Sequence, residues 1–150
     1  MKACYALGMS IRLARLTDAP QLATLLGQLG YPSTVAEVEA RLPALLADPE
    51  GAVFVATDDA DVAIGCLHAC VRRQLTSAPF VQVASLVVGA DRRGAGVGAA
   101  LLANAEEWAR AQGVGLVGLR CNVTRVRAHR FYLRAGYTLA KTSHLFSRGL

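Results

Sequence analysis

The sequence predicts a single-domain α/β protein with a mixed β-sheet flanked by helices, in the order β-α-α-β-β-β-α-β-α-β-β. Three observations carry that expectation. Apolar residues alternate between a spacing of two and a spacing of three to four, the signatures of strand and helix. Turn residues join the early strands directly, as in hairpins, whereas a helix separates the later ones, as in a βαβ unit. A length of 150 residues suits one domain with a sizeable core.

Ile11 to Leu16 alternates as a first strand. Thr17 or Asp18, the latter with Gln21 three residues on, is placed to cap a helix whose Leu22, Leu25, Leu26 and Leu29 share a face and which ends near Gly30. Thr34 and Glu37 form a second capping box, opening a helix that Pro43 should kink or split. Ala52–Ala56 and Val62–Val71 read as strands joined across Asp58, Asp59 and Asp61, aspartates expected to form a solvated turn.

Arg72 to Pro79 reads as a polar connection, and Phe80 to Val88 as a strand buried on both faces at its Leu86–Val88 end. A helix follows with Val97, Leu101, Ala105 and Trp108 in one stripe and Gly113 as its stop. Leu116–Leu119 is a buried strand, residues 124–135 a last helix, and Tyr137–Leu139 and Ser143–Ser147 two closing strands. Residues 1–9 read as an N-terminal extension, because Met9 is a plausible second start, and residues 10–150 as the domain.

Composition excludes several classes. No stretch reaches about 18 residues free of charges and turn signals, so no transmembrane helix is expected despite 53% hydrophobic residues. The start lacks the apolar run and cleavage site of a secretory signal, which leaves a cytoplasmic protein as the expectation. Cys4, Cys66, Cys70 and Cys121 form no Cys-x-x-Cys pair, so neither a disulfide framework nor a metal site is expected. Cys66, Cys70 and Cys121 read as small apolar side chains.

Residues 1–61 hold four basic and eight acidic groups; residues 62–150 hold twelve and three. The second part therefore favours an anionic partner such as a phosphate group. No Lys/Arg run exceeds two residues and no aromatics interleave with them, which disfavours nucleic acid.

The most informative stretch runs from Leu86, Val87 and Val88 through Gly89 to Arg93, Gly94, Ala95, Gly96, Val97, Gly98 and Ala99. A buried strand runs into glycines that open an amphipathic helix, so unpaired backbone N–H groups and the positive helix end converge on one spot. Such a spot binds phosphate, with glycine letting the backbone approach the anion. Gly94 to Ala99 also fits the dinucleotide pattern G-x-G-x-x-A, which would make the protein a dinucleotide-dependent oxidoreductase. That reading needs an acidic residue about 20 positions on, where the sequence has Arg120, Cys121 and Asn122.

Read one residue earlier, Arg93 to Gly98 fits R-x-x-G-x-G and resembles motif A of the GCN5-related N-acetyltransferase (GNAT) family. Independently, Asn122 and the run Ala128 to Tyr137 resemble that family's motif B, A-x-x-F-Y-x-x-x-G-[FY]. The resemblance covers about residues 10–148. It implies a splayed sheet in which the strands ending at Val88 and Cys121 part to admit acetyl-coenzyme A (acetyl-CoA). The pyrophosphate would lie on the amides of Arg93 to Gly98, pantetheine along Leu86 to Val88, and Asn122 beside the pantetheine arm.

The resemblance further implies transfer of the acetyl group to a primary amine by direct attack in a ternary complex, with a strand amide near Leu86 or Val87 polarising the carbonyl. Tyr132 would protonate the departing thiolate, although its place on the helix stripe also suits packing. Gln82 stands where many relatives carry a basic glutamate, so the general base is unassigned, and a non-catalytic CoA-binding sensor domain is a further alternative. Ala90 stands where proline is frequent, which should alter only the stiffness of the turn.

His129 reads as a capping or solvated residue, and His68 as a hydrogen-bonded core residue, with reach to the acceptor site as its other reading. A covalent route through Cys66 or Cys121 lacks a His/Asp partner pattern. Arg120, Arg125, Arg127, Arg130 and Arg134 read as a solvated face, one or two being candidates for the adenosine 3′-phosphate. The acceptor is expected to be a small-molecule or peptide amine, shaped by Gln28–Thr34, Arg72–Pro79 and the terminal strands, with the acidic first part hinting at a cation. A homodimer is left open.

Overall fold

The computed structural model describes residues 3–5 and 8–150, with side chains from Gly8 onward. The chain divides into two compact units, Met1–Arg120 and Cys121–Leu150. The first holds a six-stranded sheet in the order β1-β2-β3-β4-β5-β6: β1 (Ala3–Tyr5), β2 (Met9–Leu13), β3 (Gly51–Thr57), β4 (Ala63–Gln74), β5 (Ser77–Val88) and β6 (Val117–Leu119). All neighbours are antiparallel except β5 and β6, which are parallel. The helices of this unit are α1 (Ala19–Leu29), α2 (Val35–Ala47) and α3 (Val97–Ala111). The second unit holds α4 (Val126–Arg134).

One sheet face is covered by α1 and α2. Leu22, Leu25, Val38 and Leu42 bury their side chains against Val53, Val55, Cys66 and Val87, while Leu26, Leu29 and Leu45 pack at the edge. The other face is covered by α3. Phe54 meets Trp108 edge to face at 6.4 Å, and Gly65 lets the helix approach, since a Cβ there would lie 3.1 Å from Val97 Cγ1 and 3.2 Å from Leu101 Cδ1.

Several expectations are corrected. Asp18 does not cap α1 with its side chain. Its carboxylate accepts from Arg12 Nη1 at 2.8 Å, Arg12 Nη2 at 2.9 Å and the Arg15 amide at 2.7 Å, because it is buried beside a guanidinium that needs a counter-charge more than the helix needs a cap. Asp61 is likewise tied down, accepting from Arg12 Nε at 3.0 Å and Arg15 Nη1 at 2.9 Å. The Thr34/Glu37 capping box forms as expected, but α2 runs unbroken through Pro43. Ala3–Tyr5, within the expected extension, pairs with β2.

Arg72 to Pro79 is not a connection: β4 and β5 extend through it and meet at Gln74↔Ser77, so cross-strand pairing overrides its polar composition. Leu86, Val88 and β6 are half-buried rather than fully buried. The two closing strands do not form; residues 135–150 hold neither helix nor strand, and Leu139, Leu145 and Phe146 are exposed. Short alternating runs specify a face but not a partner, and no backbone ladder pairs with these.

β5 decides the site. It pairs with β4 along its whole length, yet its pairing with β6 covers only Val81–Val83 and ends at Val83↔Leu119. Between His68↔Ser85 and Ala69↔Val83 the residue Ala84 has no partner, a β-bulge that bends β5 just where β6 stops. Residues Ala84–Val88 thus have a strand on one side only.

Candidate active site

At the end of β5 the chain makes a tightly held turn. The Gly89 amide donates to Ile64 O at 2.8 Å and the Arg92 amide to Gly89 O at 2.8 Å, while Gln28 Oε1 on α1 accepts from the Ala90 amide at 2.9 Å. Arg93 is extended, and its Nε donates to Val88 O at 3.3 Å. Gly94 and Gly96 follow with φ of +80° and +81°. A Cβ at either would meet nothing within 4 Å, so glycine is demanded by the left-handed backbone rather than by crowding.

Gly96 is the N-cap of α3, and no side chain caps that end. The first bond back into the helix is from the Ala100 amide to Gly96 O at 3.0 Å. The amides of Val97, Gly98 and Ala99 precede it and point out of the helix end with its partial positive charge. Val97 is buried and anchors the turn, whereas Arg93 to Gly96 are exposed. The expected cofactor-binding residues Leu86 to Val88 and Arg93 to Ala99 are therefore consecutive along one strand, turn and helix start, a geometry suited to an anion.

A cavity of about 160 Å³ lies between α1, α2 and the sheet. The helices line it with Leu22, Leu25, Leu42 and Leu45 and the sheet with Val53 and Val87. Its polar wall consists of Arg41, His68, Ser85 and Cys66, and no carboxylate lines it. His68 and Ser85 are register partners across β4 and β5, beside the Ala84 bulge. Arg41 also bonds Ser33 Oγ at 3.0 Å and lies 4.0 Å from Glu37.

His68 departs from its expected place as a hydrogen-bonded core residue: it is half-buried, lines the cavity, and its ring makes no hydrogen bond among the described residues. Burial and Arg72 hold its imidazole below the ordinary 6.5, against a smaller opposing effect of Asp48. Burial, with a smaller contribution from Asp18, pushes the Cys66 thiol up to about 12, so it stays protonated, as a small apolar side chain would. Gln82 lies outside the cavity wall, its Oε1 accepting from Arg72 Nε at 2.9 Å. Sequence reasoning missed Arg41 and Ser85; Ser85 was signalled only as a lone hydroxyl in an apolar run.

In the second unit, Asn122 Oδ1 accepts from the Thr124 amide at 3.0 Å and Thr124 Oγ1 at 2.9 Å. The Asn122 carbonyl accepts from the Arg125 amide at 3.0 Å and lies 2.9 Å from His129 Nε2, so His129 braces the start of α4. Tyr132 is half-buried, with its ring edge to face with Phe131 at 5.2 Å and Tyr137 at 6.2 Å. Burial and Cys121 raise its phenol above the usual value, opposed by Arg125. Arg120, Arg125, Arg127, Arg130 and Arg134 are exposed. No cluster that could hold a metal ion occurs among the described residues, and no helix there is long and apolar enough to cross a membrane.

The chain resembles several known proteins. It is 47% identical over 70 residues to an aminoalkylphosphonate N-acetyltransferase of Salmonella typhimurium, a stretch covering 46% of this chain and 44% of that protein. The chain spans less than half the length of the curated relatives it matches. Among solved structures, the aminoglycoside 6′-N-acetyltransferase AAC(6′)-Ih from Acinetobacter baumannii superposes with a TM-score of 0.83 at 16% identity, over 95% of this chain and 99% of that one. AAC(6′)-Iy, in complex with the bisubstrate analog CoA-S-monomethyl-acetylneamine, superposes with a TM-score of 0.84 at 21% identity, over 95% and 99%. At these identities the two structures establish the fold. The family model described as the acetyltransferase (GNAT) family matches residues 20–137, and the chain belongs to that family.

Proposed function

We propose that this protein is an N-acetyltransferase that moves an acetyl group from acetyl-CoA to a primary amine by direct attack in a ternary complex. The observation that carries this reading is the glycine turn at the end of β5, which offers the uncapped amides of α3 beside a strand segment left open on its β6 side. The pyrophosphate of the donor is assigned to the amides of Arg93 to Gly98, with Ala99 beside them in the donor site, and its pantetheine arm to the open edge of Leu86 to Val88. An amide near Leu86 or Val87 would polarise the thioester carbonyl. Asn122 is assigned to the pantetheine arm and Tyr132 to protonation of the leaving thiolate, both from their places in the second motif. The similar proteins support the reading, since one is an N-acetyltransferase and one is bound to a CoA conjugate.

Calorimetric titration with acetyl-CoA and, separately, with NADP tests it. Acetyl-CoA should bind and NADP should not. Binding of the nicotinamide cofactor without acetyl-CoA would restore the oxidoreductase reading. Binding of acetyl-CoA with no thiol release against any amine would instead indicate a sensor domain.

A further inference from the structure

We propose that the cavity beneath α1 and α2 receives the acceptor, a small primary amine on an apolar body, and that His68 is the catalytic base that takes the proton from its ammonium group. This rests on the acetyl-transfer reading and names the acceptor class for it. The cavity contains the His68/Ser85 pair, and Leu86, assigned to the donor, follows Ser85 in the chain. The acceptor's nitrogen and the donor's thioester would therefore meet at the same stretch of β5.

The wall chemistry selects both the base and the substrate. A primary ammonium has no lone pair, so it must lose a proton before it can attack. On this wall Arg41 is a permanent cation, the Ser85 hydroxyl is no base, and the Cys66 thiol is protonated. His68 alone can accept the proton. The charged groups acting on it are Arg72 on its own strand and Asp48 at the end of α2, and with burial they leave a free imidazole at neutral pH. α1 and β3 present only apolar side chains to the cavity.

The ammonium gives one proton to the unprotonated ring nitrogen of His68. The nitrogen lone pair then forms a bond to the acetyl carbon and the C–S bond breaks. The thiolate leaves as coenzyme A thiol after taking a proton from Tyr132, the product amide nitrogen gives its second proton to solvent, from which Tyr132 is reprotonated, and His68 returns its proton to solvent. With no carboxylate on the wall to hold a second ammonium, and Arg41 repelling one, the cavity disfavours polycations. The acidic first part of the sequence therefore does not translate into a cation site: its carboxylates lie elsewhere.

The test uses the full chain with phenethylamine and hexylamine against spermidine and neamine, reading thiol release, with acetyl-CoA affinity measured separately. The apolar monoamines should be preferred. His68→Gln should lower their kcat/KM by about 10²-fold, leave acetyl-CoA affinity and Tm unchanged, and abolish the loss of activity expected in the wild type as pH falls through the lowered pKa of His68. In the wild type, phenethylamine should shift the His68 ring resonance, assigned by its absence in His68→Gln, with or without coenzyme A present. Preference for polyamines, wild-type turnover in folded His68→Gln, or a ring resonance unmoved in both conditions would overturn the proposal. Failure of acetyl-CoA to bind would overturn the transfer reading instead, while the resonance still reports whether the cavity holds the amine.

Discussion

The glycine turn before α3 and the cavity under α1 and α2 share β5, yet they are specified in opposite ways. The turn is written in consecutive residues, Gly89 to Ala99, and most of its side chains are exposed. The cavity collects side chains from five elements, between Leu22 and Val87, and exists only when all five are seated. Function carried by consecutive residues should be separable from stability, whereas loosening the elements that seat the assembled wall should cost function together with the fold.

The sharpest test of separability is Tyr132→Phe, which keeps the ring contacts with Phe131 and Tyr137 and removes only the proposed proton donor. Turnover should fall by about 10²-fold to 10⁴-fold with acetyl-CoA affinity and Tm nearly unchanged. A merely packed tyrosine would show the reverse, a stability loss of about 0.5 to 1.5 kcal/mol and intact turnover.

Asp18→Ala probes the assembled side. Asp18 is buried, and Arg12 half-buried, at the entry to α1, the helix that roofs the cavity. Breaking a buried pair outright costs about 3 to 5 kcal/mol; Asp61 still pairs with Arg12 at 3.0 Å, so the loss should fall below that range, and urea unfolding should register it. Burial pushes the Asp18 carboxyl up, but the Arg12 guanidinium and the Arg15 amide outweigh it, so the group lies below its usual 3.8. Its contribution is thus complete above pH 3.8 and is lost as pH falls through the lower folded value. Acid should therefore destabilise the wild type more steeply than the variant; parallel pH profiles would dissociate Asp18 from acid stability.

The smallest effect belongs to Gly96→Val. A β-branched residue at φ +81° costs about 1 to 2 kcal/mol, and the exposed turn relaxes away from that conformation. Acetyl-CoA affinity should fall about tenfold, with the acceptor KM and Tm little changed. Unchanged affinity would move the phosphate away from this turn and erase the contrast between the two regions.

By itself the sequence determined what short-range rules can encode. The left-handed positions at Gly94 and Gly96, the helix that follows them, the Thr34/Glu37 box and the α/β class with its parallel β5–β6 crossover are all properties of residues a few positions apart. Dihedral preference and periodicity act at that range. The partner of each group was decided only by the tertiary structure. Asp18 looked like a cap and became the counter-ion of Arg12; His68 looked like a satisfied core residue and lines a cavity instead. Alternating residues after α4 formed no strand because alternation selects a face, while a ladder requires a neighbour whose hydrogen-bonding groups are free. The Ala84 bulge, which opens β5 where the donor is assigned, follows from fitting β5 against β4, and no local pattern announces it.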